Sequence, residues 1–304
     1  MPMQRVVLHI GTHKTGTTLL QRLLSENHDL LRAAGVLHPQ TGIPQGHNNA
    51  HRDLMLAIRK EDNGKWEELS GEIEQAGLPT VVLSAEELCR CDRHQVARIQ
   101  QKLDGFEAEI ICYFRNEWDF MLAACRQQWK DGSFAGTFPE FLEAKLPRCR
   151  YEKYVERWID VFGAERVHVV LYDKAVQGPG LIDDFVGRLG FTPEVEAIMV
   201  QALQRPRKAL NASSDDAVAM TQRRITALEQ RLSPRLKPTG GLQRLRRTVR
   251  RQGLAGRVLV AAAHPRQDMS TDADIDWLRE HTAGWHQLFL DRFVDPADHH
   301  YLDF

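Results

Sequence analysis

The sequence predicts an α/β fold: a central parallel sheet flanked by helices, followed by a mainly helical C-terminal third. Three observations carry that expectation. Short β-branched runs alternate with helical stretches, the first run leads through a glycine-bounded loop straight into a helix, and the composition is that of an ordinary globular chain. The 304 residues are 42% hydrophobic and 27% charged, which excludes wholesale disorder and collagen-like repeats. That length allows one large domain or two small ones, and the absence of a composition break before residue 223 favours a single domain over 1–304.

The first strand is Arg5-Val-Val-Leu-His-Ile10, an apolar run of the kind buried in a sheet. Gly11-Thr-His-Lys-Thr-Gly-Thr-Thr18 follows as a loop. Leu19, Leu20, Leu23 and Leu24 then recur at helical spacing until Gly35 ends the segment. Further strands are expected at Thr80–Leu83, Glu109–Phe114 and Arg166–Tyr172, with helices at Trp66–Gln75, Trp118–Trp129 and Tyr151–Phe162 between them. Such alternation builds right-handed crossovers and a parallel sheet covered on both faces. Beyond Leu181–Gly190 the pattern is helical. Residues 223–257 hold eleven Lys or Arg and a single acid, Glu229, and read as a basic helical insertion. Within it, Leu242, Leu245 and Val249 share one helix face among arginines over 242–251, a surface suited to an acidic glycan or an anionic membrane.

Charge and cysteine usage exclude several functions. Forty basic side chains against forty-one acidic ones leave no global field for nucleic acid. Five cysteines, at 89, 91, 112, 125 and 149, form no oxidative framework. Cys89-x-Cys91 lacks the second pair a zinc site needs. The N-terminus runs into the first strand without a signal-peptide apolar region, and no apolar run approaches the ~18 residues of a membrane span. The expectation is a soluble, cytoplasmic chain with no metal.

The loop carries the chemistry. Gly11 and Gly16 ahead of a helix N-terminus aim backbone N–H groups at one point, where the helix dipole favours an anion, and Thr17 and Thr18 add hydroxyl donors. The spacing matches the first half of a P-loop, so the sheet is P-loop-like. Thr17, however, stands where a nucleoside triphosphatase has its lysine. The lysine sits inside the loop instead, at Lys14, where it suits a shorter phosphoanhydride.

With those residues in view, His9-Ile-Gly-Thr-His-Lys-Thr-Gly-Thr-Thr-Leu-Leu-Gln21 resembles the bacterial branch of the sulfotransferases that use 3′-phosphoadenosine 5′-phosphosulfate (PAPS). The resemblance implies that Gly11, Thr12, His13, Lys14, Thr15, Gly16, Thr17 and Thr18 hold the 5′-phosphosulfate. It also implies that Arg115, after the 109–114 strand, binds the 3′-phosphate; a guanidinium fork suits that task. The family's companion serine is replaced by Ala123. Val169–Lys174 resembles the family's Tyr-Glu-x-Leu strand. Arg205, Arg207, Lys208 and Ser213 fall in a segment resembling the basic stretch that closes over the nucleotide.

Transfer to a hydroxyl requires a general base near the acceptor. Glu86, after the Thr80–Leu83 strand, is the first candidate, with His47 and His51 from the polar loop 46–51 as runners-up, and His13 adding local positive charge. Glu86 is equally placed to open a helix capped by Ser84. The implied reaction is in-line displacement at sulfur on a hydroxyl acceptor, a carbohydrate, glycolipid or small molecule. Two alternatives stay open: a P-loop kinase or nucleoside triphosphatase, for which Asp173 would be the magnesium aspartate, and a non-catalytic nucleotide-binding module.

Overall fold

The computed structural model describes residues 3–45, 49–191 and 269–304, with isolated positions between 193 and 227. Its frame is a five-stranded, wholly parallel sheet in the order β2-β3-β1-β4-β5. These strands are β1 (Arg5–His9), β2 (Val36–Leu37), β3 (Thr80–Ser84), β4 (Glu107–Phe114) and β5 (Val167–Leu171). β1 lies at the centre, paired with β3 on one side and β4 on the other, and His9 is level with both Ser84 and Ile111. With both faces also packed, Val6, Val7, Leu8 and Ile10 are all buried, which is why this stretch reads as mainly apolar, with Arg5 at its entry paired to Glu109.

Side chains of β1 alternate between two packed layers. Val6, Leu8 and Ile10 join Val81, Leu83, Ile110, Cys112 and Phe114 on one face. That layer is covered by α3 (Arg52–Lys60), α4 (Gly64–Ala76), α5 (Arg93–Lys102) and α8 (Tyr151–Phe162). Val7 joins Val82, Ile111, Tyr113 and Val170 on the other face. There it meets α1 (Thr17–Glu26), α2 (His28–Ala33), α9 (Tyr172–Gln177) and α10 (Leu181–Gly187). His9 also projects to this second face, its ring 5.6 Å from Tyr113 and 5.3 Å from Phe185.

Backbone contacts divide the chain into two compact units. The first comprises 1–116, 150–208 and 285–303 and contains the sheet; the second comprises 117–149, 209–284 and residue 304. Within the second, α6 (Glu117–Asp131) and α7 (Phe138–Lys145) bury Phe120, Trp129, Phe138 and Phe141 together. A capping box between Thr137 and Glu140 starts α7. A long helix spans Asp272–Phe293. Among the described residues, no helix is long and apolar enough to cross a membrane.

The expected strands are present with shifted ends, but the single helix expected from Leu19 to Gly35 is two, α1 ending at Glu26 and α2 starting at His28, with the non-helical Asn27 between them. β4 begins two residues earlier than the apolar run suggests, and β5 ends at Leu171 because Tyr172 opens α9. The two-residue strand β2 is too short to announce itself, whereas α3 buries Leu54, Met55, Ala57 and Ile58 on one clear apolar face that the sequence reading passed over. The basic helix at 242–251 and the segment holding Arg205, Arg207, Lys208 and Ser213 lie outside the described residues, as does His47.

Candidate functional site

In a parallel sheet ligands gather beyond the carboxyl ends of the strands, where successive crossovers leave a central strand in opposite directions. β1 is that strand: β3 flanks it on one side and β4 on the other. The Gly11–Thr18 loop springs from its end, and two glycines permit its path. Gly16 holds φ +73°, and a Cβ built there would stand 2.2 Å from Leu181 Cδ2; at Gly11 one would stand 2.9 Å from His9 Nε2. Lys14 also adopts a left-handed backbone, φ 70°. Such a conformation in a non-glycine residue is uncommon and persists where its surroundings enforce it.

The loop's own threonines supply part of that enforcement. Thr12 donates from both its N–H and its hydroxyl to the Tyr113 carbonyl, at 3.1 and 3.0 Å. Thr15 Oγ1 donates to the Thr12 carbonyl at 2.6 Å, and both side chains are buried. These two hydroxyls are therefore committed to shaping the loop. α1 begins at Thr17 with Gly16 as its N-cap, no side chain capping it and no acid in its first turn. The Leu19 and Leu20 N–H groups turn back to the Gly16 carbonyl, and those of Thr17 and Thr18 are the orphan donors a helix start presents.

Arg115 reaches the same loop from the end of β4. Its Nη1 donates to the Lys14 carbonyl at 3.4 Å, and its guanidinium carbon lies 5.4 Å from the Tyr172 ring centroid. Tyr151 donates its hydroxyl to the Arg115 carbonyl at 2.9 Å. The next residue, Asn116, is fixed three ways: its N–H donates to Asp173, and its side-chain amide donates to the Leu302 and Asp303 carbonyls. The Asp173 carboxylate is thereby engaged with the backbone at the end of β4.

Glu86 faces the loop from the end of β3. It opens a 3₁₀ turn, Glu86–Arg90, which has no side-chain cap. Ser84 does not cap it, because the Ser84 hydroxyl is bonded to His9 Nδ1 at 2.8 Å. The Glu86 carboxylate accepts from Gln21 Nε2 at 2.6 Å on Oε2, and its Oε1 stands 3.8 Å from His13 Nδ1. Glu86, His13 and the loop are thus brought together. Gln21 is a partner that the sequence reading passed over: it sits on α1 one turn past Thr17, at a spacing typical of a core residue, and is itself buried.

His51 is placed differently. Its Nδ1 accepts from the Ser84 N–H at 3.0 Å, which leaves Nε2 protonated to donate to the Pro39 carbonyl at 3.0 Å. Both nitrogens are occupied by backbone, and burial lowers its pKa to about 4. In this position His51 is a brace for the end of β3. His9 is likewise fully buried, and desolvation holds its pKa at about 4. His38, packed at 4.9 Å from His51, is pushed well below the ordinary range by burial. The cysteines are all buried and unbridged. Cys91, packed on the Met55 sulfur at 3.5 Å, has its thiol pushed up to about 12 by desolvation. Among the described residues, no three His, Cys, Asp or Glu side chains converge as a metal site would require.

No family model matches the chain, and no curated protein does. Among solved structures, a sulfotransferase from Alicyclobacillus acidocaldarius is similar, with 20% identity over 76% of this chain and 96% of that one and a TM-score of 0.42. A likeness so distant assigns no chemistry, which has to be read from the side chains themselves.

Proposed function

We propose that this chain is a sulfotransferase that takes a sulfonyl group from PAPS and passes it to a hydroxyl acceptor, a carbohydrate, glycolipid or small molecule. The observation that carries the reading is that Arg115 reaches the Gly11–Thr18 loop at the Lys14 carbonyl, with the Glu86 carboxylate on the other side of that loop at His13. The donor set suits a phosphosulfate: leading helix amides, Thr17 and Thr18 at the helix start, and the cationic Lys14 in the loop, with no acid in the first turn. In the reaction the acceptor oxygen bonds to sulfur, the bond from sulfur to the bridging phosphate oxygen breaks, and adenosine 3′,5′-bisphosphate leaves. Glu86 takes the acceptor's proton. Lys14 balances charge on the departing oxygen, and the loop amides hold the 5′-phosphate still, so that rate comes from positioning and preorganised electrostatics. Arg115 is assigned to the 3′-phosphate, with Ala123 contributing no hydroxyl.

The kinase alternative is disfavoured by Thr17 in the usual lysine position and by the engagement of Asp173 with the Asn116 amide. Transfer of labelled sulfate from PAPS onto extracted glycans and lipids is the test. Activity in the wild type that is lost in Lys14→Ala supports the assignment; near-normal transfer by Lys14→Ala overturns it. Detectable transfer onto any acceptor also eliminates the non-catalytic module.

A further inference from the structure

Gln21 is buried on α1 with its side-chain amide 2.6 Å from Glu86 Oε2. A carboxylate only accepts hydrogen bonds, so the NH₂ end of the amide must face it. That bond occupies one carboxylate oxygen and leaves the other, Oε1, on the side of His13 and the loop. The backbone beneath Glu86 is fixed as well. The Ala85 N–H donates to the His9 carbonyl at 3.0 Å, and Ser84 is tied to both His9 and His51. The turn Glu86–Arg90 has no capping side chain of its own, so the carboxylate's aim is set from α1.

We infer that Gln21 is a positioning residue for Glu86: its amide holds Oε2 so that the acceptor's proton is taken at Oε1, facing the anion loop. The inference rests on the sulfotransferase reading above and on Glu86 as its base. It joins the first turns of α1, which present the loop amides, to the group that receives the proton, so that one helix orients both. A buried amide also suits the task better than a cation would. It donates to the ionised carboxylate without adding a charge beside the sulfonyl group.

The test uses Gln21→Met, which keeps length and shape but has no donor, and Gln21→Glu, which replaces the donor with a second carboxylate. Glu86→Gln is made in parallel. The expected result is a fall in kcat of about 10- to 100-fold in both Gln21 variants, the scale of loss when a reacting group is displaced by about 1 Å. The dissociation constant for adenosine 3′,5′-bisphosphate should stay within about twofold, because the loop contacts are intact. A residue that merely filled space would lower stability and leave kcat unchanged. If Gln21→Met turns over at the wild-type rate while Glu86→Gln is inactive, the inference fails and the reading of Glu86 stands. Wild-type turnover by Glu86→Gln overturns both. A crystal structure of Gln21→Met gives a readout that needs no turnover: the Glu86 carboxylate turned away from His13 supports the role, and one in its present place contradicts it.

Discussion

Replacing Gly16 by alanine separates the two reasons this position is glycine. The first is backbone conformation: at φ +73° an L residue loses about 1–2 kcal/mol. The second is space, because the added Cβ would stand 2.2 Å from Leu181 Cδ2, a distance no real contact shows, and 3.5 Å from Tyr172 Cε2. Leu181 is itself buried in the α1 face of the core, so its methyl can move only by repacking, at about 1–3 kcal/mol. Gly16→Ala should therefore destabilise by about 2–5 kcal/mol. Gly105 provides the control: it has φ +82° with nothing within 4 Å of an added Cβ, so Gly105→Ala should lose only the conformational part, about 1–2 kcal/mol. Urea unfolding monitored by fluorescence measures both. At about 2 °C per kcal/mol for a chain of this size, Gly16→Ala should melt roughly 4–10 °C below the wild type and bind adenosine 3′,5′-bisphosphate weakly. Equal losses for the two variants would refute the packing argument, and an undiminished Gly16→Ala would refute both parts.

Other outcomes follow from the same geometry. His9 and His51 are held near pKa 4 by burial, against 6.5 when unfolded. Between those values the unfolded chain binds more protons, so their contribution is complete above pH 6.5 and is lost as the pH falls towards 4. Each should cost about 2 kcal/mol between pH 6.5 and pH 5. His9→Asn should reduce the slope of unfolding free energy against pH by about one proton, and an unchanged slope would show that His9 is not buried neutral. Arg115→Lys keeps the charge but loses the fork of donors; by calorimetry it should bind adenosine 3′,5′-bisphosphate at least about tenfold more weakly while its affinity for adenosine 5′-phosphate changes little.

The sheet was legible because its strands are enclosed: Val6–Leu8, Val81–Leu83 and Ile110–Phe114 are apolar, and burial on both faces imposes that pattern. The loop was legible because glycine at 11 and 16 answers to backbone geometry, which leaves its mark residue by residue. Glu86 was legible only as a carboxylate after a strand. Its partner Gln21 was not, because a polar residue inside an amphipathic helix gives no sign of which side chain it meets 65 positions away. His51 illustrates the converse. A histidine in a polar loop reads as a chemical group, yet the Ser84 and Pro39 backbone claims both of its nitrogens, and no local pattern announces such a long-range clamp.

The most direct measurement is calorimetric titration, without divalent cation, of the wild type and Lys14→Ala with adenosine 3′,5′-bisphosphate and, separately, of the wild type with ATP and magnesium. The account predicts saturable binding of the bisphosphate to the wild type, marked weakening in Lys14→Ala, and little response to ATP with magnesium. Tight ATP–magnesium binding with no bisphosphate binding would contradict it.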